Sequence, residues 1–115
     1  MSQERLIRGL IGLGLSRTDA RVYVFLITRG PKKGRDIANV LQMYKRQLYR
    51  SLRSLRVKGI VNVTLEHPAK FSAVPFEKVL DLLAKAKLVE AQGIERNKEE
   101  ILSEGHSMIK GDFAS

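Results

Sequence analysis

The chain has no cysteine, no tryptophan, three prolines and two histidines. Without a thiol there is no disulfide, no thiolate nucleophile, no iron–sulfur cluster and no cysteine-based zinc site. His67 and His106 stand far apart, at no metal-ligand spacing, so neither a metal nor another cofactor is expected. Long apolar runs are also missing, which excludes a membrane-spanning helix. The stretch Leu6–Leu15 superficially resembles a secretory leader, but Arg8 interrupts it and no small-residue cleavage site follows. Phosphate-loop spacing is absent: Gly9, Gly12 and Gly14 have no lysine in the required place. Ser16 has no histidine near it in sequence and is expected to cap a helix. With no plausible acid, base and nucleophile, an enzyme is not expected.

Acidic residues are scarce, and unevenly so. The 115 residues carry 21 Lys+Arg against 12 Asp+Glu, a net charge of +9. Residues 31–60 hold Lys32, Lys33, Arg35, Lys45, Arg46, Arg50, Arg53, Arg56 and Lys58, with Asp36 the sole acid, while residues 61–115 are slightly acidic. A solvated surface would interleave the signs. A basic block beside an acidic remainder points to a polyanion bound on one side.

The length fits one domain with a modest core. Leu6, Ile7, Leu10 and Ile11 have helical spacing. Ser16-Arg17-Thr18-Asp19 has the form of a capping box with Asp in place of Glu, opening a second helix to about Thr28. Its inner stripe is Ala20, Tyr23, Val24 and Ile27, thickened by Phe25 and Leu26, and Gly30-Pro31 ends it. A third helix covers about Gly34 to Leu41, with Ile37, Ala38 and Leu41 inward. Gln42, Met43 and Tyr44 form a turn into a fourth helix, about Lys45 to Lys58, ended by Gly59. Leu48, Leu52 and Leu55 share one face of it. At 100° per residue, Arg46, Arg50, Arg53 and Val57 lie opposite, with Gln47 and Ser54 beside them and Lys45 and Tyr49 flanking.

The period then changes to two. Val61, Val63 and Leu65 alternate with Asn62, Thr64 and Glu66, predicting a half-buried strand. His67-Pro68-Ala69 turns the chain, and Lys70 to Val74 returns with Phe71 and Ala73 on one side. A fifth helix from Pro75 to about Leu102 carries the stripe Leu80, Ala84, Leu88, Ala91, Ile94 and Ile101, weakened at Gly93 and interrupted by Lys98.

Two helices, a helix-turn-helix, a hairpin and a helix make an α+β, mainly α, winged helix-turn-helix with a long C-terminal helix. In that order the fourth helix fits the major groove and the hairpin meets the adjacent backbone. Arginine can read guanine bidentately and glutamine adenine, and Arg or Lys can hold phosphates. The expected contacts to double-stranded DNA are Lys45, Arg46, Gln47, Tyr49, Arg50, Arg53 and Ser54, with Lys32, Lys33 and Arg35 ahead of helix three. His67 and Lys70 are expected at a wing over 66–70.

Three stretches carry a family resemblance. They are Leu13-Gly14-Leu15-Ser16 followed by Ala20-Arg21-Val22-Tyr23; Asp36-Ile37-Ala38 leading through Leu48-Tyr49-Arg50-Ser51-Leu52-Arg53-Ser54-Leu55 to Lys58-Gly59-Ile60-Val61; and Pro68-Ala69-Lys70-Phe71-Ser72-Ala73-Val74-Pro75. Together, over about residues 10 to 80, the sequence resembles the N-terminal DNA-binding domain of the TrmB family of archaeal-type transcriptional regulators. It departs from that family at the turn, where Gln42 replaces a small Gly-like residue, and at Tyr44 and Arg46, where Pro and then Ser are common. The resemblance implies DNA binding in transcription regulation. Full-length members resemble sugar sensors through a C-terminal effector domain. That domain is not expected in a chain ending at Ser115, and no small-molecule effector is evident.

The expected organisation is a winged helix over 1–75, a dimerisation helix over 76–104 and a flexible tail over 105–115. The helix-five stripe needs a partner, so a homodimer is expected. The expected location is cytoplasmic, associated with the nucleoid. Two rivals share the fold: a sequence-tolerant architectural chromatin protein, and a winged-helix protein-interaction module, for which the basic block has no use.

Overall fold

A computed structural model describes residues 3–114. The elements run α1 (Gln3–Gly12), α2 (Arg17–Arg29), β1 (Lys32–Lys33), α3 (Gly34–Leu41), α4 (Lys45–Val57), β2 (Val61–Val63), β3 (Lys70–Ala73) and α5 (Phe76–Ala114). This is a winged helix-turn-helix. The chain divides into two compact units, one ending at Leu83 and the other starting at Ala84.

In the first unit α2 is the central element. Ala20, Val22, Tyr23, Val24, Phe25 and Leu26 are all buried, so it is apolar nearly all round; Val22 was not in the expected stripe, and Ile27 is only half-buried. Ile7 and Leu10 of α1, Ile37 of α3, and Leu48, Leu52 and Leu55 of α4 close on it. Ser16 caps α2 as expected, its Oγ accepting from the Asp19 N–H at 3.1 Å. Arg17 donates to Glu4 at 2.9 Å and ties α1 to the start of α2. That hydrogen bond holds the Glu4 carboxyl below the usual carboxylate range.

The turn between α3 and α4 depends on a residue in the left-handed region. Gln42 has φ 54° and ψ 49°, and Met43 N–H reaches back to Ala38 O at 3.0 Å, closing the helix end. Met43 is buried beneath the turn. At the end of α4, Gly59 (φ 77°) lets the Ile60 N–H return to Leu55 O at 2.9 Å. Only glycine takes that φ without steric cost, and the reversal delivers Ile60 to the core and Val61 to the sheet.

The sheet differs from the expected hairpin. It has three antiparallel strands in the order β1-β3-β2, because Lys32 and Lys33 pair with Phe71 and Lys70. A two-residue strand has no periodicity to read, so sequence alone could not find it. Val61, Asn62 and Val63 face Ala73, Ser72 and Phe71. Thr64 closes the pair from both sides, its N–H donating to Lys70 O and its Oγ1 accepting from Lys70 N–H, each at 2.9 Å. The ladder stops there. Leu65, expected to continue the inward alternation, is fully exposed in the wing loop.

Helix α5 also differs from expectation. It continues beyond Leu102 to Ala114, so residues 105 onward, expected as a flexible tail, are helical through Ala114. Gly93 and Gly105 do not break it; a single helical glycine costs only about 1 kcal/mol. The boundary near 75 moves as well. Val79 and Leu83 are buried and Leu80 packs against the core, so the first turns of α5 belong to the winged-helix unit. Leu80 is therefore not part of the outward stripe. In the second unit Ala84, Leu88, Ala91, Ile94 and Ile101 are exposed, with Leu102, Met108 and Ile109 exposed beside them.

Candidate nucleic-acid interface

Helix α4 is amphipathic by design of its sequence. Leu48, Ser51, Leu52 and Leu55 are buried at i, i+3, i+4 and i+7. The opposite face holds Arg46, Arg50 and Arg53, as the angular count predicts, with Gln47 beside them and Lys45 flanking at the helix start; all five are exposed. Its first turn has no acidic residue and begins Lys45-Arg46, and its cap Tyr44 makes no side-chain cap hydrogen bond. Cations at a helix N-terminus oppose the macrodipole, at about 0.3–1 kcal/mol each. These two side chains thus weaken the helix they stand on, which suggests they serve something outside the fold.

Among the described residues, ion pairs join Glu4 to Arg8 and Arg17, and Lys87 to Glu90; none reaches Lys45, Arg46, Arg50 or Arg53. Gln47 makes only a long 3.5 Å contact with Thr18. The face is cationic, solvated and uncompensated.

Ser54 is a correction. Expected beside the outward face, it is half-buried and donates to Asp19 Oδ2 at 2.9 Å, while accepting from Lys58 Nζ at 2.9 Å. It lies at the edge of the face, and the buried carboxylate draws its hydroxyl inward. Tyr49 also leans into the fold. Its ring meets Phe71 edge-on, with centroids 6.1 Å apart, and lies over Gly34, where an added methyl would overlap its hydroxyl. The lack of a side chain at Gly34 is what lets the hydroxyl end of the tyrosine approach the start of α3.

The sheet brings together lysines that are far apart in sequence. Lys33 sits directly across from Lys70, with Lys32 next along β1 and Arg35 exposed in the first turn of α3. Like charges directly opposed across strands repel, and no described carboxylate forms an ion pair with either lysine. Lys70 thus stands at the base of the wing on β3 rather than at its tip. The exposed loop ahead of it holds Leu65, Glu66 and His67.

Sequence reasoning did not place three other exposed groups. Tyr44, 86 % exposed, stands at the N-terminus of α4. Arg56 and Asn62 join Arg53, Val57, Val61 and Val63 around an open groove of about 610 Å³ between α4 and β2. Arg56 was visible in the basic run; Asn62 becomes apparent only when β2 is placed beside α4. Among the described residues no group of His, Asp and Glu could hold a metal ion, and no helix is long and apolar enough to cross a membrane.

Residues 10–77 match the family model described as the sugar-specific transcriptional regulator TrmB. The chain belongs to the TrmB family. The match takes in the whole helix-turn-helix and wing, including every cation placed at the candidate interface. A TrmB-family relative, the HTH-type sugar sensing transcriptional regulator TrmBL1 of Pyrococcus furiosus, is 24 % identical over 106 residues, covering 92 % of this chain and 31 % of that protein. The structure of TrmBL2, described as an archaeal chromatin protein with a novel mode of DNA binding, superposes with a TM-score of 0.78 at 25 % identity, over 90 % of this chain and 40 % of that one. The chain spans less than half the length of these two relatives. The ST1889 protein of Sulfolobus tokodaii shares the fold over 81 % of this chain and 99 % of its own, with a TM-score of 0.64 at 21 % identity. The TrmB family is one of transcriptional regulators, not of enzymes.

Proposed function

We propose that this chain binds double-stranded DNA as a dimeric regulator of transcription. Helix α4 enters the major groove, the Lys33–Lys70 ledge meets a flanking phosphate run, and the wing lies along the backbone beyond it. The observation that carries this is the uncompensated face of α4, where Lys45, Arg46, Arg50 and Arg53 are exposed with no described acidic partner. Its Arg and Gln side chains match the edges of guanine and adenine, and its lysines match phosphates. Regulation follows from occupancy, with the sign set by where the site lies relative to a promoter.

Dimerisation would use α5. From Ala84 on, Ala84, Ala91 and Gly105 fall on one seven-residue spacing, broken by Lys98, and Ile94, Ile101 and Met108 on another, with Leu88 one turn from both Ala84 and Ala91; all are exposed or half-exposed and in the pattern of a helix–helix seam. Two-fold pairing would hold two copies of α4 for the two halves of a palindromic site.

One observation favours the architectural alternative: the likeness to TrmBL2, itself described as a chromatin protein. Selection from a random DNA pool followed by sequencing separates the two. A regulator enriches an inverted repeat with half-sites about one turn, ~34 Å, apart or a multiple of it. An architectural protein binds the pool without strong enrichment. Failure to retain any DNA overturns both.

A further inference from the structure

Asp19 has a role that helix capping does not explain. Its carboxylate does not serve the capping box its position suggests. The side chain, 7 % exposed, crosses to α4, where Oδ1 accepts from Ser51 Oγ at 2.6 Å and Oδ2 from Ser54 Oγ at 2.9 Å. No described cation forms an ion pair with it. A buried carboxylate is a costly way to join two helices, and a well-packed apolar residue usually joins them better. What the carboxylate adds is direction. It grips α4 at two positions three residues apart, so it fixes both the rotation of that helix and its height against α2. Its own place is set by the Ser16 cap on the Asp19 N–H. Lys58 completes the chain of hydrogen bonds from the far end of α4 through Ser54.

Two further α2 residues act in the same way. Arg21 donates to Leu41 O at 3.2 Å, holding the last turn of α3, and Tyr23 Oη donates to Val74 O at 2.8 Å, holding the exit of β3. Asp19, Arg21 and Tyr23 thus tie three separate parts of the cationic surface to one buried helix.

We infer that Asp19 is a positioning residue for sequence discrimination: through Ser51 and Ser54 it sets the rotation at which α4 presents Arg46, Arg50 and Arg53. This role rests on the DNA-binding proposal above. Side chains reach about 5–6 Å from a helix axis, so a 20° rotation of α4 displaces their ends by about 2 Å. Phosphate attraction tolerates such a shift. Bidentate base contacts do not, since binding geometry must hold to within about 0.5 Å.

The test uses the full chain and the variants Asp19→Ala, Asp19→Asn and Ser54→Ala, with folding checked by circular dichroism. Affinity is measured for the selected site and for random DNA, and amide hydrogen exchange is followed without DNA. For Asp19→Ala the ratio of selected-site to random affinity should fall at least tenfold, with random-DNA affinity within threefold of the wild type. Asp19→Asn, which keeps one acceptor, should recover part of that ratio. In exchange, α4 amides should lose protection while those of α1 keep it. Equal losses on both DNAs, or an unchanged ratio, would overturn the inference. If Asp19→Ala does not fold, Ser54→Ala, which removes a half-buried hydroxyl, should still lower the ratio several-fold; no change there has the same overturning force. A wild-type chain that binds no DNA would instead defeat the DNA-binding proposal, and a uniform exchange pattern in the variants would separately show that Asp19 does not hold α4.

Discussion

Replacing Arg46 and Arg50 tests the interface most directly, because the two outcomes differ in kind. Both are exposed on α4 and join no described ion pair, so their loss leaves the leucine face intact. Each phosphate neutralised contributes about −0.9 to the slope of log affinity against log salt. If Lys33, Lys45, Arg46, Arg50, Arg53 and Lys70 each neutralise one phosphate, a protomer on a half-site has a slope of about −5.4. Raising salt fourfold, from 50 to 200 mM, would then weaken binding roughly 2,000-fold. Should both arginines hold phosphates, the double Ala variant has a slope of about −3.6 and weakens equally on every sequence. Should one read a base, the slope changes less, and the preferred site loses a further ~1–3 kcal/mol against random DNA. Arg→Lys variants separate these further, since lysine holds a phosphate but cannot make the bidentate contact to guanine. Fluorescence anisotropy across a salt series gives all of these quantities. A flat salt response in the wild type, or a double variant that binds like it, would refute the placement of α4 in DNA.

Three other perturbations address other parts of the molecule. Burial raises the Tyr23 phenol to about 12, against about 10 in the unfolded chain. The unfolded state then loses its proton first as pH rises, so stability is intact below pH 10 and falls by on the order of 2–3 kcal/mol between 10 and 12. Urea unfolding at pH 9 and pH 11.5 should show that fall, and Tyr23→Phe should flatten it while losing about 1 kcal/mol at neutral pH with the hydrogen bond to Val74; an equal fall in the variant assigns it elsewhere. Gln42→Gly should raise stability by about 0.5–1 kcal/mol, because Gln42 pays for a left-handed conformation that glycine takes freely; a lower unfolding midpoint would contradict this. Leu88→Glu places a charge on the proposed seam of α5 and should convert a sedimenting dimer to monomer, weakening two-half-site DNA far more than a half-site. A wild type that sediments as monomer at micromolar concentration, alone and on DNA, would exclude that seam.

Most of the helical framework was legible because each helix announces itself twice, by period and by punctuation. Ser16 and Gly30-Pro31 bracket α2 and Gly59 closes the end of α4, while α3 and α4 begin and end within about one residue of the bounds that their apolar periods predict. The misses share one cause: the deciding interaction is non-local. Lys32-Lys33 becomes a strand only because β3 lies beside it. Leu65 leaves the sheet because Thr64 closes the ladder. The first turns of α5 belong to the core because Val79 and Leu83 find apolar neighbours there. Even so, Gln42 carried a local warning, since a small Gly-like residue is the family habit at that turn and the backbone there is left-handed.

The candidate site shows the same division more sharply. Its outward face follows from angle alone, because leucines fix the inward direction and 100° steps do the rest. Its inward polar grip does not. Ser51 completes the i, i+3, i+4, i+7 stripe of Leu48, Leu52 and Leu55, so its position already implied burial. A serine buried on such a stripe must find a partner, yet nothing local says that the partner is Asp19, thirty-two residues earlier and already accounted for as a capping residue. Two departures from local preference therefore meet on α4: cations at its N-terminus that oppose its dipole, and a carboxylate in the core beneath it. Neither is what stability alone would select. Each makes sense if the helix must present charge outward at one fixed rotation, and that shared explanation links the exposed arginines to the buried aspartate.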